Sequence, residues 1–328
     1  MRPFAYTRAR TLEDAAQMLS DDTATTIAGG TNLLDLMKLQ VETPDSLTDI
    51  NRIGFGEIAD TDDGGLSIGA LATNTETAVH PRVRSDYPVL ARAILSGATQ
   101  QLRNKATTGG NLCQRTRCFY FTNIDQPCNK REPGSGCGAI DGIAKLHAIL
   151  GTSEQCIATY PGDMAVAMSA LDATVQIASA DGASRSVPVR DFHLLPGDTP
   201  WQENVLEPGE IITAVTLPPP VGGTQIYRKV RERSSYAFAL VSIAAIIEMK
   251  DGRFSRADLA FGGLAHKPWH DPRIGEELLD KEPSSALFDK AADILLENAQ
   301  GYGENDFKIP LSRRTLHAVL EHATETAQ

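Results

Sequence analysis

Two glycine pairs constrain this chain more than any other feature. AGGTN (28–32) follows the strand-like run DTATTI and leads directly into the helix-like run LLDLMKLQ. NKATTGGNL (104–112) repeats the device, with Thr107, Thr108 and Asn111 around its two glycines. Glycines between a strand and a helix let the backbone come against a ligand, and a following helix turns N–H groups towards it. Neither loop is a Walker A sequence, since no Lys-Ser/Thr follows, and neither is G-x-G-x-x-G. For either loop alone, a plain tight β–α turn is the competing reading. Together they could hold the two phosphates of a dinucleotide from either side, because hydroxyl and amide side chains beside backbone N–H groups suit a pyrophosphate.

The runs around these loops set the expected organisation. TLEDAAQML (11–19) reads as a helix that Thr11 caps, with Asp14 in the capping-box position. DSLTDI and LSIGALAT (66–73) read as strands and YPVLARAILSGAT (87–99) as a helix, so the first third alternates as an α/β unit. CIATYP, DATVQIAS, SRSVPV and IITAVTLP (211–218) read as short strands, with Asp181-Gly182 in the tight link before SRSVPV. Asp163, in YPGDMAVAMSAL, stands at a helix start, either as its cap or as a ligand contact. PPPVGG (218–223) is the best linker. Beyond it QIYRKVR, FALVSIAAIIEMK and FSRADLAFGGL read as strands, with a hairpin at Asp251-Gly252, and two helices close the chain. The expected boundary lies near residue 222.

Four of the five cysteines fall between 113 and 137, spaced Cys113-x4-Cys118-x9-Cys128-x8-Cys137. Disulfides, a zinc site and an iron–sulfur cluster compete for them. The N-terminus MRPFAYTRARTLEDAAQ has neither the layout of a signal peptide nor a twin-arginine pair, which disfavours disulfides. The expected location is the cytoplasm, or the periplasm by co-export with a signal-bearing partner. Zinc knuckles pair their cysteines more closely than most of these spacings allow. Four thiolates in one loop match the four-cysteine ligation of a 4Fe–4S cluster, and Arg115, Arg117, Lys130 and Arg131 would favour an anionic centre. Cys156, in EQCIATYP, reads as a buried free thiol on a strand. His266 and His270 read as loop residues, because Pro268 breaks any shared helical face. A net charge of −11 argues against non-specific nucleic-acid binding, and no apolar run is long enough for a membrane helix.

AGGTNLLDLMK, LSIGALAT, YPVLARAILSGATQQLRNKATTGGNL, YPGDM, IYRKVRERSSYAFALVSIAA and KIPLSRRTLHAVL, in that order, resemble the flavin-binding subunit of the xanthine dehydrogenase family of molybdenum hydroxylases. The resemblance covers nearly the whole chain. It implies an α+β protein: an FAD-binding domain of the vanillyl-alcohol-oxidase/PCMH type (two α/β subdomains), residues 1–222, then a small domain of antiparallel sheet and helices, residues 223–328. It implies that Ala28, Gly29, Gly30, Thr31, Asn32 and Leu33 hold the FAD pyrophosphate from one side and Thr107, Thr108, Gly109, Gly110 and Asn111 from the other. Asp163 and Lys229 would lie near the flavin; Tyr236 is either a flavin neighbour or a core or interface residue. Most of the family lacks the insertion at 113–137. A minority of bacterial flavin subunits, resembling this chain in Q-R-T-R-C and P-C-N-K-R, carry a 4Fe–4S cluster there and belong to three-subunit aldehyde-oxidising enzymes. The implied ligands are Cys113, Cys118, Cys128 and Cys137. The implied partners are a 2Fe–2S small subunit and a large subunit with the molybdenum cofactor, with electrons passing to an external acceptor. Two other readings stay open: a stand-alone FAD-dependent reductase, for which no catalytic acid motif is evident, and a zinc-stapled binding module without redox function.

Overall fold

The computed structural model describes residues 1–19, 24–179 and 182–326. Asp22 and Thr23 of the expected first strand, Asp181 of the expected link and Ala327 of the last helix lie outside the described residues.

The chain opens as a βαβαβ unit. Strands β1 (Ala5–Arg8), β2 (Ala24–Ile27) and β3 (Ser46–Asp49) form a parallel sheet in the order β1-β3-β2. Helices Leu12–Met18 and Leu33–Lys38 make the crossovers. The Thr11 hydroxyl accepts the Asp14 N–H at 3.1 Å, the expected cap. The Asp14 carboxylate reaches back to the N–H of Arg10 rather than that of Thr11.

Strands β4 (Ile58–Asp60), β5 (Leu66–Gly69), β6 (Thr174–Ala178), β7 (Ser184–Pro188) and β8 (Ile211–Leu217) form an antiparallel sheet in the order β4-β5-β8-β6-β7. Val175 and Ile177 point inward from β6 while Thr174 and Gln176 stay half-buried, the period-2 pattern of a sheet with one covered face. Strands β9 (Thr224–Val230), β10 (Val241–Lys250) and β11 (Arg253–Gly262) form a third, antiparallel sheet in the order β11-β10-β9, with the β10–β11 turn at Asp251-Gly252.

The continuous apolar run of β10 has a plain cause. Ala244 and Ile246 pack into the core that holds helices Pro88–Ser96 and Asp163–Ala170 and the five-stranded sheet. Ile243, Ala245 and Ile247 face the opposite way, into a second core under helices Pro272–Leu278, Ser285–Leu296 and Lys308–Thr326. A sheet covered on both faces has no use for polar alternation.

Three local expectations change. CIATYP is not a strand; it runs without a ladder and makes single backbone bonds, Ala148 N–H to Ile157 O and Tyr160 N–H to Ala265 O. Asp163 is not a cap but the first residue of its helix, behind Gly162. Helix Asn74–Val79 adds to the expected set; its signal is Thr73-x-x-Glu76, which forms a full capping box.

Candidate functional site

The two glycine loops meet backbone to backbone. A Cβ added at Gly29 would lie 1.9 Å from the carbonyl oxygen of Lys105, so only glycine allows the first loop to rest on the second. Around this junction runs a trough of three chambers. The first, about 300 Å³, is lined by Ala28 to Leu33, Thr107, Gly109 and Gly110, with apolar walls from Ile50, Leu206 and Ile212. The second, about 260 Å³, shares Thr31, Asn32 and Gly110 with it and adds Asn111, Asp163 and Lys229. The third, about 530 Å³, shares Arg117, Asp163, Tyr236 and Phe238 with the second and extends to Cys118 and His147.

The first loop brings a donor without a partner. Asn32 Oδ1 accepts the backbone N–H of Arg115 at 2.9 Å, while its Nδ2 is buried and unbonded. A buried amide with half its capacity unused is costly unless a ligand takes it up. The second loop differs from expectation in its backbone. The N–H groups of Thr108, Gly109, Gly110 and Asn111 are bonded to Ala72 O, Ala70 O, the Thr107 hydroxyl and Thr107 O. This loop therefore offers close approach and side chains rather than free amides. Thr108 is fully buried, gives its hydroxyl to Ala72 O at 3.1 Å and does not reach the trough. The helices after the loops have six and five residues, too short to carry a large macrodipole.

Asp163 and Lys229, 66 residues apart, form one ion pair in the wall of the second chamber, where Asp163 also borders the third. Lys229 Nζ lies 2.7 Å from Asp163 Oδ2, and the Tyr227 hydroxyl donates to Asp163 Oδ1 at 2.6 Å. Burial and the adjacent carboxylate push the Tyr227 phenol well above its ordinary value, so it stays a donor. Opposite, Tyr236 takes a left-handed φ of 53° and is 56% exposed, at the lip of the trough rather than in a core. Arg117 stacks on Phe238 at 5.3 Å, and its buried Nε has no partner.

The cysteines divide differently from their sequence grouping. Cys118, Cys128, Cys137 and Cys156 line one cavity between the insertion and segment 155–158. Cys128 and Cys137 face each other across an isolated antiparallel bridge. Cys113 is not with them. It ends the helix Thr108–Leu112, its N–H bonded to Gly109 O, and lines the first chamber. Burial and the nearby Glu203 carboxylate push its thiol up to about 12. Burial raises Cys118 to about 12 and Cys156 to about 11, so as packed these are thiols. The cavity itself is about 10 Å³, and any group larger than a water requires the loop to open. Among the described residues no three His, Cys, Asp or Glu side chains converge as the ligands of a single ion would. In kind and number the four thiols fit a cluster held by four cysteines.

The cations of the insertion mostly brace it. Arg131 donates to Tyr120 O, Phe121 O and Gln126 O. Arg115 pairs with Glu42 and, at 3.1 Å, with Glu203. Lys130, 2% exposed, joins Glu203 at 2.9 Å, Pro200 O at 2.6 Å and His266 Nε2 at 2.7 Å. Burial opposes ionisation of Glu203, but Lys130 and Arg115 outweigh it and hold the carboxyl below its usual range. Sequence reading misses Glu42, Glu203 and the buried role of His266, because their partners lie far away along the chain.

The comparisons agree with this architecture along the full chain. The family described as FAD binding domain in molybdopterin dehydrogenase matches residues 2–220, and the CO dehydrogenase flavoprotein C-terminal domain matches residues 225–321. The aldehyde oxidoreductase FAD-binding subunit PaoB of Escherichia coli is 53% identical over 328 residues, covering 100% of both chains. The glyceraldehyde dehydrogenase medium chain of Sulfolobus acidocaldarius is 29% identical, over 87% of this chain and 84% of that one. Among solved structures, quinoline 2-oxidoreductase from Pseudomonas putida superposes with a TM-score of 0.75 at 26% identity, covering 99% of this chain and 98% of that chain. The chain belongs to the FAD-binding medium subunits of the molybdenum hydroxylases.

Proposed function

We propose that this chain is the FAD- and 4Fe–4S-containing electron-transfer subunit of a heteromeric molybdenum hydroxylase, passing electrons from oxidation of an aldehyde to an external acceptor. The observation that carries the FAD part is the junction at Gly29 and Lys105, which opens onto a trough holding the unpaired Nδ2 of Asn32. The aldehyde is supported by the 53% identity, end to end, to a subunit of an aldehyde oxidoreductase. FAD, when bound, supplies a carrier that exchanges electrons in pairs or singly. The chain's own part is positional. Ala28 to Leu33 and Thr107 to Asn111 would take the pyrophosphate, with Asn32 Nδ2 as a donor and Thr108 bracing the second loop from behind. The Asp163–Lys229 pair keeps a charged, hydrogen-bonded wall beside the trough, and Tyr236 and Phe238 form its lip. In this reading residues 1–222 bind FAD, residues 223–328 close the trough, and a 2Fe–2S small subunit and a molybdenum-cofactor large subunit complete the complex. Cytoplasm, or periplasm by co-export with a partner, is the proposed location; among the described residues no helix is long and apolar enough to cross a membrane.

The cluster ligands we propose are Cys118, Cys128, Cys137 and Cys156, with Cys113 left out because it lies in the wall of the first chamber. A 4Fe–4S cluster, when bound, supplies a one-electron carrier. The test is the complex, co-expressed and purified anaerobically, with flavin and iron assayed across five Cys→Ser variants. Flavin should be present in all five, and the 4Fe–4S share of the iron, over and above the small subunit's 2Fe–2S iron, should be lost from the variants at 118, 128, 137 and 156 but kept at 113. A flavin-free complex refutes the FAD reading, zinc with no iron beyond that of the 2Fe–2S clusters refutes the cluster, and 4Fe–4S iron lost at 113 but kept at 156 refutes the ligand set.

A further inference from the structure

His147 lines the third chamber of the trough and contacts Cys118, which borders the cysteine cavity. Of the four cysteines around that cavity, Cys118 alone also lines the third chamber. His147 Nε2 lies 3.1 Å from Cys118 Sγ, and His147 is one of the residues that line the chamber. The imidazole is 2% exposed, and its Nδ1 is buried with no partner.

The ring has little freedom to leave this place. The carbonyl of His147 accepts Lys308 Nζ at 2.8 Å and Asn305 Nδ2 at 3.3 Å, both fully buried side chains. Lys308 also bonds Gly263 O at 2.8 Å, and the N–H of His147 bonds Ala144 O. The C-terminal helix thus clamps the backbone of a residue whose side chain touches the cysteine nearest the trough. That is a costly arrangement for a residue with only a packing role, since Lys308 is a buried amine that, among the described residues, bonds two carbonyls and no carboxylate.

We propose that His147 is a positioning residue for the iron–sulfur centre, its Nε2–H donating to the Cys118 sulfur on the side that faces the flavin trough. The inference rests on the cluster reading above. A ligating thiolate only accepts, so Nε2 must carry the hydrogen, which leaves the unpartnered Nδ1 as a bare lone pair. A hydrogen bond to a ligating sulfur favours the more negative, reduced cluster and raises its potential. No proton moves: one electron from a mediator enters the cluster, and the bond shortens or lengthens with the charge on sulfur.

The test is a mediator-poised redox titration of the purified complex, following the cluster by its visible and EPR signals, with iron content and melting temperature as controls. At a fixed poise, His147→Leu should lower the ratio of reduced to oxidised cluster about tenfold, the effect expected of one hydrogen bond to a charged group. That corresponds to about 59 mV for a one-electron couple. His147→Gln, whose amide can reach the same sulfur, should restore the ratio to within about threefold of wild type. Equal ratios in Leu variant and wild type, with iron retained, overturn the proposal. Should the Leu variant lose its iron, the wild type decides: with isotope-labelled histidine, pulsed EPR of the reduced cluster shows a nitrogen coupling if the bond exists, and its absence overturns the proposal. A wild-type complex without 4Fe–4S iron beyond that of the 2Fe–2S clusters refutes the cluster reading and with it this inference, whereas a 4Fe–4S-loaded wild type with unshifted variants refutes the inference alone.

Discussion

Replacing Gly29 with alanine tests the contact on which the trough depends. The new Cβ would lie 1.9 Å from Lys105 O, 2.6 Å from Lys105 C and 3.2 Å from Ala106 N, all backbone atoms that no rotamer change can move. Restoring an ordinary contact requires the two loops to part by about 1.5 Å. Overpacking of this kind costs about 1–3 kcal/mol. The ligand-free protein can relax by opening the junction, so most of the cost should fall on FAD affinity, where both loops must grip at once. On that basis the dissociation constant rises about 5- to 140-fold. Flavin fluorescence titration of the deflavinated complex measures it, and thermal melting of the same sample shows any share taken by stability. Gly56→Ala is the control, because nothing lies within 4 Å of a Cβ there. If Gly29→Ala bound FAD and melted like wild type, the backbone-to-backbone junction would not exist in solution.

Asn32→Asp keeps the acceptor for the Arg115 N–H but removes the unpaired donor and places a negative charge in the trough. FAD affinity should fall about 12-fold or more, the worth of one hydrogen bond to a charged partner, with the ligand-free melting temperature little changed. Lys229→Met strands the buried Asp163 carboxylate, so chemical denaturation should show a loss of about 3–5 kcal/mol, partly recovered by adding Asp163→Asn. Asp49 at the end of β3 is opposed by burial, but the Tyr6 hydroxyl, the Asn51 N–H groups and Arg8 outweigh it and lower its carboxyl from 3.8 to about 2. A depressed carboxyl stabilises the fold above its unfolded value and ceases to do so as pH falls through the folded one. Stability measured between about pH 4 and pH 2 should therefore lose about 2 kcal/mol that Asp49→Asn never has, and parallel acid limbs for the two proteins would refute this.

What can be read in the sequence is whatever repeats at short range. The period-2 alternation of β6 and β8, the unbroken apolar run of β10, the Thr11 cap and the Asp251-Gly252 hairpin are each set by neighbours within a few residues. The glycine loops are legible for the same reason, although their mutual contact is not, since Gly29 and Lys105 meet only in the folded chain. The pairing of Asp163 with Lys229 and Tyr227 is equally hidden, because each residue has an innocent local reading as a helix start or a strand position. Cys156 sits outside the dense group, and the β-formers of its run give it the look of a strand residue. In the structure that run is held by isolated bonds to segments around 148 and 265, contacts that carry no periodicity.

That Cys156 and not Cys113 lines the cysteine cavity follows from which backbone each belongs to. Cys113 closes a helical turn fixed at Gly109, and Gly109 rests on Ala70 with its N–H on the Ala70 carbonyl, so this thiol is bound to the sheet that carries the second glycine loop. Two residues on, the Arg115 N–H bonds Asn32 and its side chain reaches Glu42 and Glu203, and only beyond that anchor does the chain turn away. The insertion then packs back on the helix after the first glycine loop, where Leu36, Phe121 and Cys128 form one small core. Arg115 is therefore a point where the two regions meet: it lines the first chamber of the trough beside Cys113, and the chain beyond it reaches the cysteine cavity at Thr116 and Cys118. Because its backbone orients Asn32 while its guanidinium, stacked 4.6 Å from Phe121, supports the insertion, neither site can shift without the other feeling the movement.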